Sequence, residues 1–243
     1  MHKTTGIVLR PVKYGETSVI VTIFTALYGV QAYMVKGVRS QKATGNKAGL
    51  LQPGMLLDMV VYHYPQKTLQ HIKEFSPSLI YQSIHEDVVK SAIALFSAEA
   101  LLRLLPAGAP MAELFDFAFH YFVTLDGTAR QDTANFPLFF IINCSNYSGY
   151  GLKEYYTPET PYLNLQEGGF TAHPPAAMPY TAIEDGIMLD QLLRVNTYNG
   201  LPGIEMGSAV RGRLLEWYIA FLQRHTQHMG AIKSLVVLQA ILH

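Results

Sequence analysis

The chain of 243 residues has one cysteine, Cys144, so no disulfide can close within it. That suits a reducing cytosol. Charge is scarce too: Asp, Glu, Lys and Arg make up 15% and hydrophobic residues 49%, which excludes a solvated, disordered chain. No apolar run reaches the roughly 18 uncharged residues of a membrane span. The opening MHKTTGIVLRPVKYGE has no apolar stretch before a small-residue cleavage site, so no signal peptide is expected. The G-x-x-x-x-G-K-[ST] pattern is absent, which excludes a P-loop NTPase. Gly149-Tyr150-Gly151 lacks a third glycine and follows a helical pattern, so it reads as a helix stop.

Catalytic groupings are missing as well. Cys144 lies in NFPLFFIINCSNYSG with no cation to stabilise a thiolate, and reads as a buried inert thiol. His225 and His228 are spaced i, i+3 with His243 further on, but no acid or cysteine completes a ligand set. They read as solvent-facing histidines, and His173 is isolated. Glu86-Asp87 and Glu184-Asp185 are adjacent pairs at helix starts, where they serve as caps. The expectation is a protein that is not an enzyme, with no catalytic residue, no metal and no cofactor.

What is present is a polarity. The chain is formally neutral, yet residues 1–75 carry nine cations and three acids, or +6, and the remainder carries −6. Such a split points to a polyanionic partner for the basic half. Four of those cations, Lys36, Arg39, Lys42 and Lys47, stand in VKGVRSQKATGNKAGLLQPG with no acid among them. Lysines on a compliant segment can follow a phosphate backbone. An ordinary solvated loop is the plainer account.

The first 75 residues read as β. The segments TGIVLR, SVIVTIF, VQAYMVK, MLLDMVVYHY and TLQHIKEF are short, β-branched and aromatic, with turns between them. Five strands in this length fit a small closed barrel, led by the OB-fold, although an SH3-like barrel gives a similar string. In MLLDMVVYHY, alternation places Met55, Leu57, Met59, Val61 and His63 on one face. Asp58, Tyr62 and Tyr64 take the other, wet face. Exposed tyrosines beside cations suit single-stranded nucleic acid. Packing over the barrel ends is the alternative role for the rings.

From about residue 79 the hydrophobic period becomes 3.6. Helices are expected over 85–106, with Glu86 and Asp87 in the first turn, and over 110–127 and 135–149. Others follow over 184–196, over 208–226 with Ser208 as N-cap, and over the closing IKSLVVLQAILH. Residues 150–182 are rich in Pro and Gly and read as an irregular excursion with a hairpin at Glu167-Gly168-Gly169. The fold class is thus α+β, in two domains. A barrel of residues 1–78 precedes an all-α domain of residues 79–243 with its insertion at about 150–182.

GIVLRPVKYGETSVIVTIFTALYGVQAYMVKGVRS resembles the opening of the RecO family of bacterial recombination mediators. The carrying residues are Gly6 to Arg10, Tyr14-Gly15-Glu16, Tyr28-Gly29, Lys36-Gly37-Val38-Arg39 and Leu51-Gln52-Pro53. LLRLLPAGAPMAELFDF and the closing SLVVLQAIL extend the likeness. The resemblance implies an N-terminal OB-fold and a helical domain. It also implies binding of single- and double-stranded DNA, annealing of complementary strands, and no nucleotide hydrolysis. Implied partners are the single-strand-binding protein, RecR and the RecA-loading pathway, in the cytoplasm and at the nucleoid.

On that basis Arg10, Lys13, Lys36, Arg39, Lys42, Lys47, Tyr62 and Tyr64 are the expected DNA contacts. A dock for the acidic, apolar tail of the single-strand-binding protein needs an apolar groove with a cation at its mouth. Arg103, Arg130, Arg194, Arg211, Arg213 and Trp217 are the candidates. Many relatives carry a four-cysteine zinc module where this chain has KEYYTPETPYLNLQEGGFTAHPP, with no cysteine. No zinc is expected, and Tyr155, Tyr156, Tyr162 and Phe170 are expected to hold the insertion by packing. Two other readings stay open: a scaffold joining the single-strand-binding protein to RecR with little DNA binding, and an OB-fold RNA binder.

Overall fold

A computed structural model describes residues 1–38, 47–176, 181–227 and 229–242. Five strands, β1 (His2–Tyr14), β2 (Ser18–Thr25), β3 (Gly29–Val35), β4 (Leu56–Tyr62) and β5 (Leu69–Pro77), close a barrel in the order β1-β2-β3-β5-β4. The parallel pairing of β3 with β5, which sets Ala32 against Leu69 and Met34 against His71, completes the ring. This five-stranded Greek-key order is the OB-type topology and settles the choice against an SH3-like barrel. Alternation holds as read from sequence: Met55, Leu57, Met59 and Val61 enter the barrel core with Val8, Val21, Ile23 and Tyr33.

Two bulges break the ladders. In β1 the register passes from Val8–Ile23 to Arg10–Thr22, so Leu9 has no partner. In β5 it passes from Ile72–Val61 to Glu74–Val60, leaving Lys73 as the extra residue. A bulge re-aims the side chains beside it. Leu9, two residues after Ile7, shares its outward face and joins Ile7, Phe24, Val30 and Leu56 in the core of the helical part.

The helical part comprises α1 (Val88–Leu104), α2 (Ala112–Gly127), α3 (Phe136–Tyr147), α4 (Ile183–Leu193), α5 (Ser208–His225) and α6 (Ser234–Leu242). Helix α3 is apolar all round and lies in the centre, as its composition predicts. The helix starts follow expectation in part. Asp87 caps α1, as read for the Glu86-Asp87 pair, but stands just before the helix rather than in its first turn, and its carboxylate accepts from the Val89 and Lys90 N–H groups. Gly207 precedes α5, with Ser208 inside the helix and making no cap bond.

The barrel sits directly on the helices. Gly29, at φ +63°, turns the chain between β2 and β3 with its Cα against the backbone of Ala109, and the Gly108 N–H donates to the Val30 carbonyl at 3.0 Å. The link from β5 to α1 is fixed by Asp126, whose carboxylate accepts from the N–H groups of Gln82, Ser83 and Ile84. Burial alone would raise this carboxyl. The hydrogen bonds outweigh it and hold Asp126 below the usual carboxylate range. The buried Lys90 ammonium completes the joint on Ser83 Oγ and the Asp126 carbonyl.

The insertion contains the expected hairpin, β6 (Tyr162–Asn164) with β7 (Gly169–Thr171), turned at Gly168. Phe170 is buried against Tyr156 edge-to-face, as expected. Tyr155 departs from expectation. It is exposed, and Arg194 covers its ring at 4.8 Å in a cation–π contact instead of core packing.

Candidate nucleic-acid interface

Strand β3 ends at Val35, and the chain then offers Lys36 to solvent before the positive-φ turn at Gly37. Parallel pairing brings β5 alongside, and the tip between β4 and β5 rises next to both. These three pieces enclose an open groove of about 620 Å³ whose lining includes Lys36, Lys47, Tyr62, Tyr64, Lys67, His71 and Lys73. Four of the expected DNA contacts therefore converge: Lys36, Lys47, Tyr62 and Tyr64. Sequence reasoning missed Lys67, His71 and Lys73. The strand-turn-strand alternation of HYPQKTLQHIK could have signalled Lys67, but nothing local pairs β5 with β3.

The groove is positive. Lys36, Lys47 and Lys67 have no ion pair among the described residues, and Lys73 stands 3.9 Å from Glu74 with both side chains largely in solvent. An ion pair so exposed holds its lysine weakly. The Lys67 ammonium lies 4.7 Å from the Tyr64 ring centroid, and Tyr64 is 43% exposed. Ring faces next to ammonium groups can take stacked bases and backbone phosphates together.

Other expected contacts fall elsewhere. Lys13 is exposed near the end of β1 and does not line the groove. Arg39 and Lys42 lie outside the described residues. Arg10 follows the Leu9 bulge and lines a cleft of about 200 Å³ at the joint between barrel and helices, with Pro53, Leu95, Glu99, Arg103 and Lys233. Glu99 is already engaged there, accepting from Lys233 N–H and from the Ser234 N–H and hydroxyl. Burial would raise its carboxyl, but these bonds and Arg103 bring it below the usual range. Arg103 stands 3.7 Å from Glu99, and its buried Nε has no acceptor among the described residues. The cleft thus combines three cations, one engaged acid and an apolar wall.

Of the other candidate arginines, Arg194, Arg211 and Arg213 are committed to structure and Arg130 is held only weakly. Arg211 donates to Asn135 Oδ1 at 3.0 Å and to the Met206 carbonyl at 2.6 Å, and burial lowers its pKa. Arg213 makes a two-pronged pair with Asp185 at 2.7 and 2.8 Å. Arg194 pairs with Asp190 at 2.8 Å, and Arg130 is 3.9 Å from Asp87. Trp217 is 1% exposed and stacked on Phe221, so it belongs to the core and offers no docking surface. Among the described residues Arg211, Arg213 and Trp217 do not line one groove: the depression beside Arg211 has about 20 Å³, room for roughly one water, and includes neither Arg213 nor Trp217.

Cys144 is fully buried, and burial pushes its thiol well above the ordinary value. His225 is not merely solvent-facing: its Nε2 meets the Leu165 carbonyl at 2.9 Å and ties the insertion to α5. His228 and His243 lie outside the described residues. Among the described residues no three His, Cys, Asp or Glu side chains stand together to hold a metal ion. The insertion has no cysteine to supply zinc-binding thiolates, so its residues do not fit the four-cysteine module. No helix among the described residues is long and apolar enough to cross a membrane.

A closed β1-β2-β3-β5-β4 ring fused to an apolar helical bundle defines an OB-barrel protein with a helical second part. The family models described as Recombination protein O N terminal and C terminal match residues 1–81 and 85–156. The chain is 34% identical to the DNA repair protein RecO of Bacteroides fragilis, across 99% of both chains. It is 30% identical to that of Phocaeicola vulgatus across 99% of both, and 28% to that of Christiangramia forsetii across 98% of both. The chain belongs to the RecO family. That membership supports a role in DNA repair and recombination.

Proposed function

We propose that this chain is a non-enzymatic recombination mediator that binds single-stranded DNA in the barrel groove. The observation that carries the reading is the convergence of unpaired Lys36, Lys47 and Lys67 with Tyr62 and Tyr64 on one open groove. Bases stack on the rings while the lysines displace condensed counterions from the phosphates. Arg39 and Lys42 follow Lys36 in sequence and are assigned to the same phosphate path. Duplex DNA meets the same charges through its backbone, and annealing follows from presenting one strand with its bases available to a complement.

The acidic, apolar tail of the single-strand-binding protein is assigned to the joint cleft of Arg10, Arg103 and Lys233. Charge and an apolar wall occur together there. RecR and the RecA-loading step are the further partners, in the bacterial cytoplasm and at the nucleoid. No structural zinc is assigned. One equivalent of zinc in metal analysis of the purified protein contradicts that point.

The test is binding of a labelled single-stranded oligonucleotide at several salt concentrations. Four neutralised phosphates give a slope of log K on log salt of about −3. Reversing Lys36, Lys47, Lys67 and Lys73 to Glu abolishes binding and leaves the far-UV circular dichroism unchanged. Binding that survives the reversal moves the DNA site elsewhere. A wild-type protein that ignores DNA but binds the tail peptide favours the scaffold reading.

A further inference from the structure

The tip joining β4 to β5, residues 63–68, carries both Tyr64 and Lys67 to the groove. Exposed tips of this kind are usually mobile. Here one side chain closes the tip from below. Gln70, on β5, is 1% exposed. Its Oε1 accepts from the Tyr64 N–H at 2.9 Å. Its Nε2 donates to the Tyr64 carbonyl at 2.9 Å and to the Lys67 carbonyl at 2.7 Å. The Lys67 N–H completes the turn on the Tyr64 carbonyl at 2.9 Å.

A primary amide has one acceptor oxygen and two N–H donors, and this arrangement uses all three functions. Gln70 thus binds both backbone polar groups of Tyr64, as a neighbouring strand would. A carboxylate of the same shape keeps the acceptor and loses both donors. An aliphatic side chain loses all three bonds and leaves backbone groups of the tip without partners. Immediately before Tyr64, His63 stacks on Tyr28 at 3.9 Å and 12°, which fixes the other end of the tip.

We infer that Gln70 is a positioning residue for nucleic-acid binding. It holds Tyr64 and Lys67 ready as a ring for a base and a cation for the adjoining phosphate. The inference rests on the groove being the single-strand site. Being buried, Gln70 touches no DNA. It acts by removing the ordering cost that a loose tip would meet on binding.

The experiment compares wild type with Gln70→Glu and Gln70→Leu by amide hydrogen exchange and by titration with a labelled oligothymidine. Wild type is expected to protect the Tyr64 and Lys67 N–H groups without DNA. Gln70→Leu is expected to lose that protection, and Gln70→Glu to weaken it, because its carboxylate still accepts from the Tyr64 N–H but opposes the Tyr64 and Lys67 carbonyls. The barrel strands keep theirs in both, which establishes that the fold survives. Affinity is expected to fall roughly tenfold with the salt slope unchanged, because no phosphate contact is removed. Lys67→Ala, in contrast, lowers the slope by about 0.7. In the Gln70→Glu background, Tyr64→Ala is expected to cost much less than in wild type, since the ring is no longer positioned. Exchange that accelerates with unchanged affinity, or fully additive losses, overturns the inference. A wild type that protects the tip but binds no oligothymidine overturns the groove reading itself, and with it the role for Gln70.

Discussion

The lysines of the barrel groove and the arginines of the helical part carry the same charge to different ends. Arg194, Arg211 and Arg213 each have acceptors within 3.0 Å, and Asp185 and Asp190 are buried beneath two of them. Among the described residues Lys36, Lys47 and Lys67 have no such acid. A cation neutralised by its own chain's acids displaces few counterions from a polyanion, whereas an unpaired one displaces them fully. The location of unpaired charge therefore identifies the interface better than the location of charge alone.

Breaking the groove side gives the largest effect. Lys36→Glu with Lys67→Glu lowers single-strand affinity about a hundredfold at low salt, with an unchanged melting temperature. The matching change on the helical side, Arg213→Ala, leaves DNA affinity alone. It lowers the melting temperature, because Asp185 is left buried without its partner.

Of similar size, but read in stability rather than in affinity, is the contact between the two parts. Gly29→Ala places a Cβ against the Ala109 backbone in a left-handed turn, and costs about 2–4 kcal/mol in denaturant unfolding. Tyr64→Ala removes a stacking face without removing a charge. Affinity falls by about 1–3 kcal/mol and the salt slope stays as it was.

The smallest effect concerns the link between the parts. The Asp126 carboxyl is lower in the folded than in the unfolded chain, where its ordinary value is 3.8. Its stabilisation is therefore complete above that value, and is lost as pH falls through the depressed folded value. Asp126→Asn costs about 1–2 kcal/mol at neutral pH and flattens the acid limb of a stability-against-pH curve.

Much of this comparison was legible in the sequence wherever the signal was local. Period-2 alternation placed Met55 to Val61 inward and Tyr62 and Tyr64 at the wet side, and the apolar run around Cys144 marked α3 as central. Charge asymmetry pointed to the basic barrel. Long-range geometry was not legible. Lys67 and Lys73 reach the groove through the β3–β5 parallel pair, and no local pattern encodes a parallel partner. Arg10 and Arg103 line one cleft through a bulge at Leu9 and a sequence separation of 93 residues. The roles of Arg211 and Arg213 depended on Asn135 and Asp185, and Trp217 on burial, which hydrophobic period alone does not resolve. Ser208 and Asp87 were each misplaced by about one residue, the usual precision of cap signals.

The central claim is that unpaired charge in the groove, and not total charge, creates the DNA site. The direct measurement is the salt dependence of oligothymidine binding for wild type and for the protein with Lys36, Lys47, Lys67 and Lys73 replaced by Glu. The account predicts a wild-type slope of about −3 and no detectable binding by the variant. Equal slopes and equal affinities in the two proteins would contradict it.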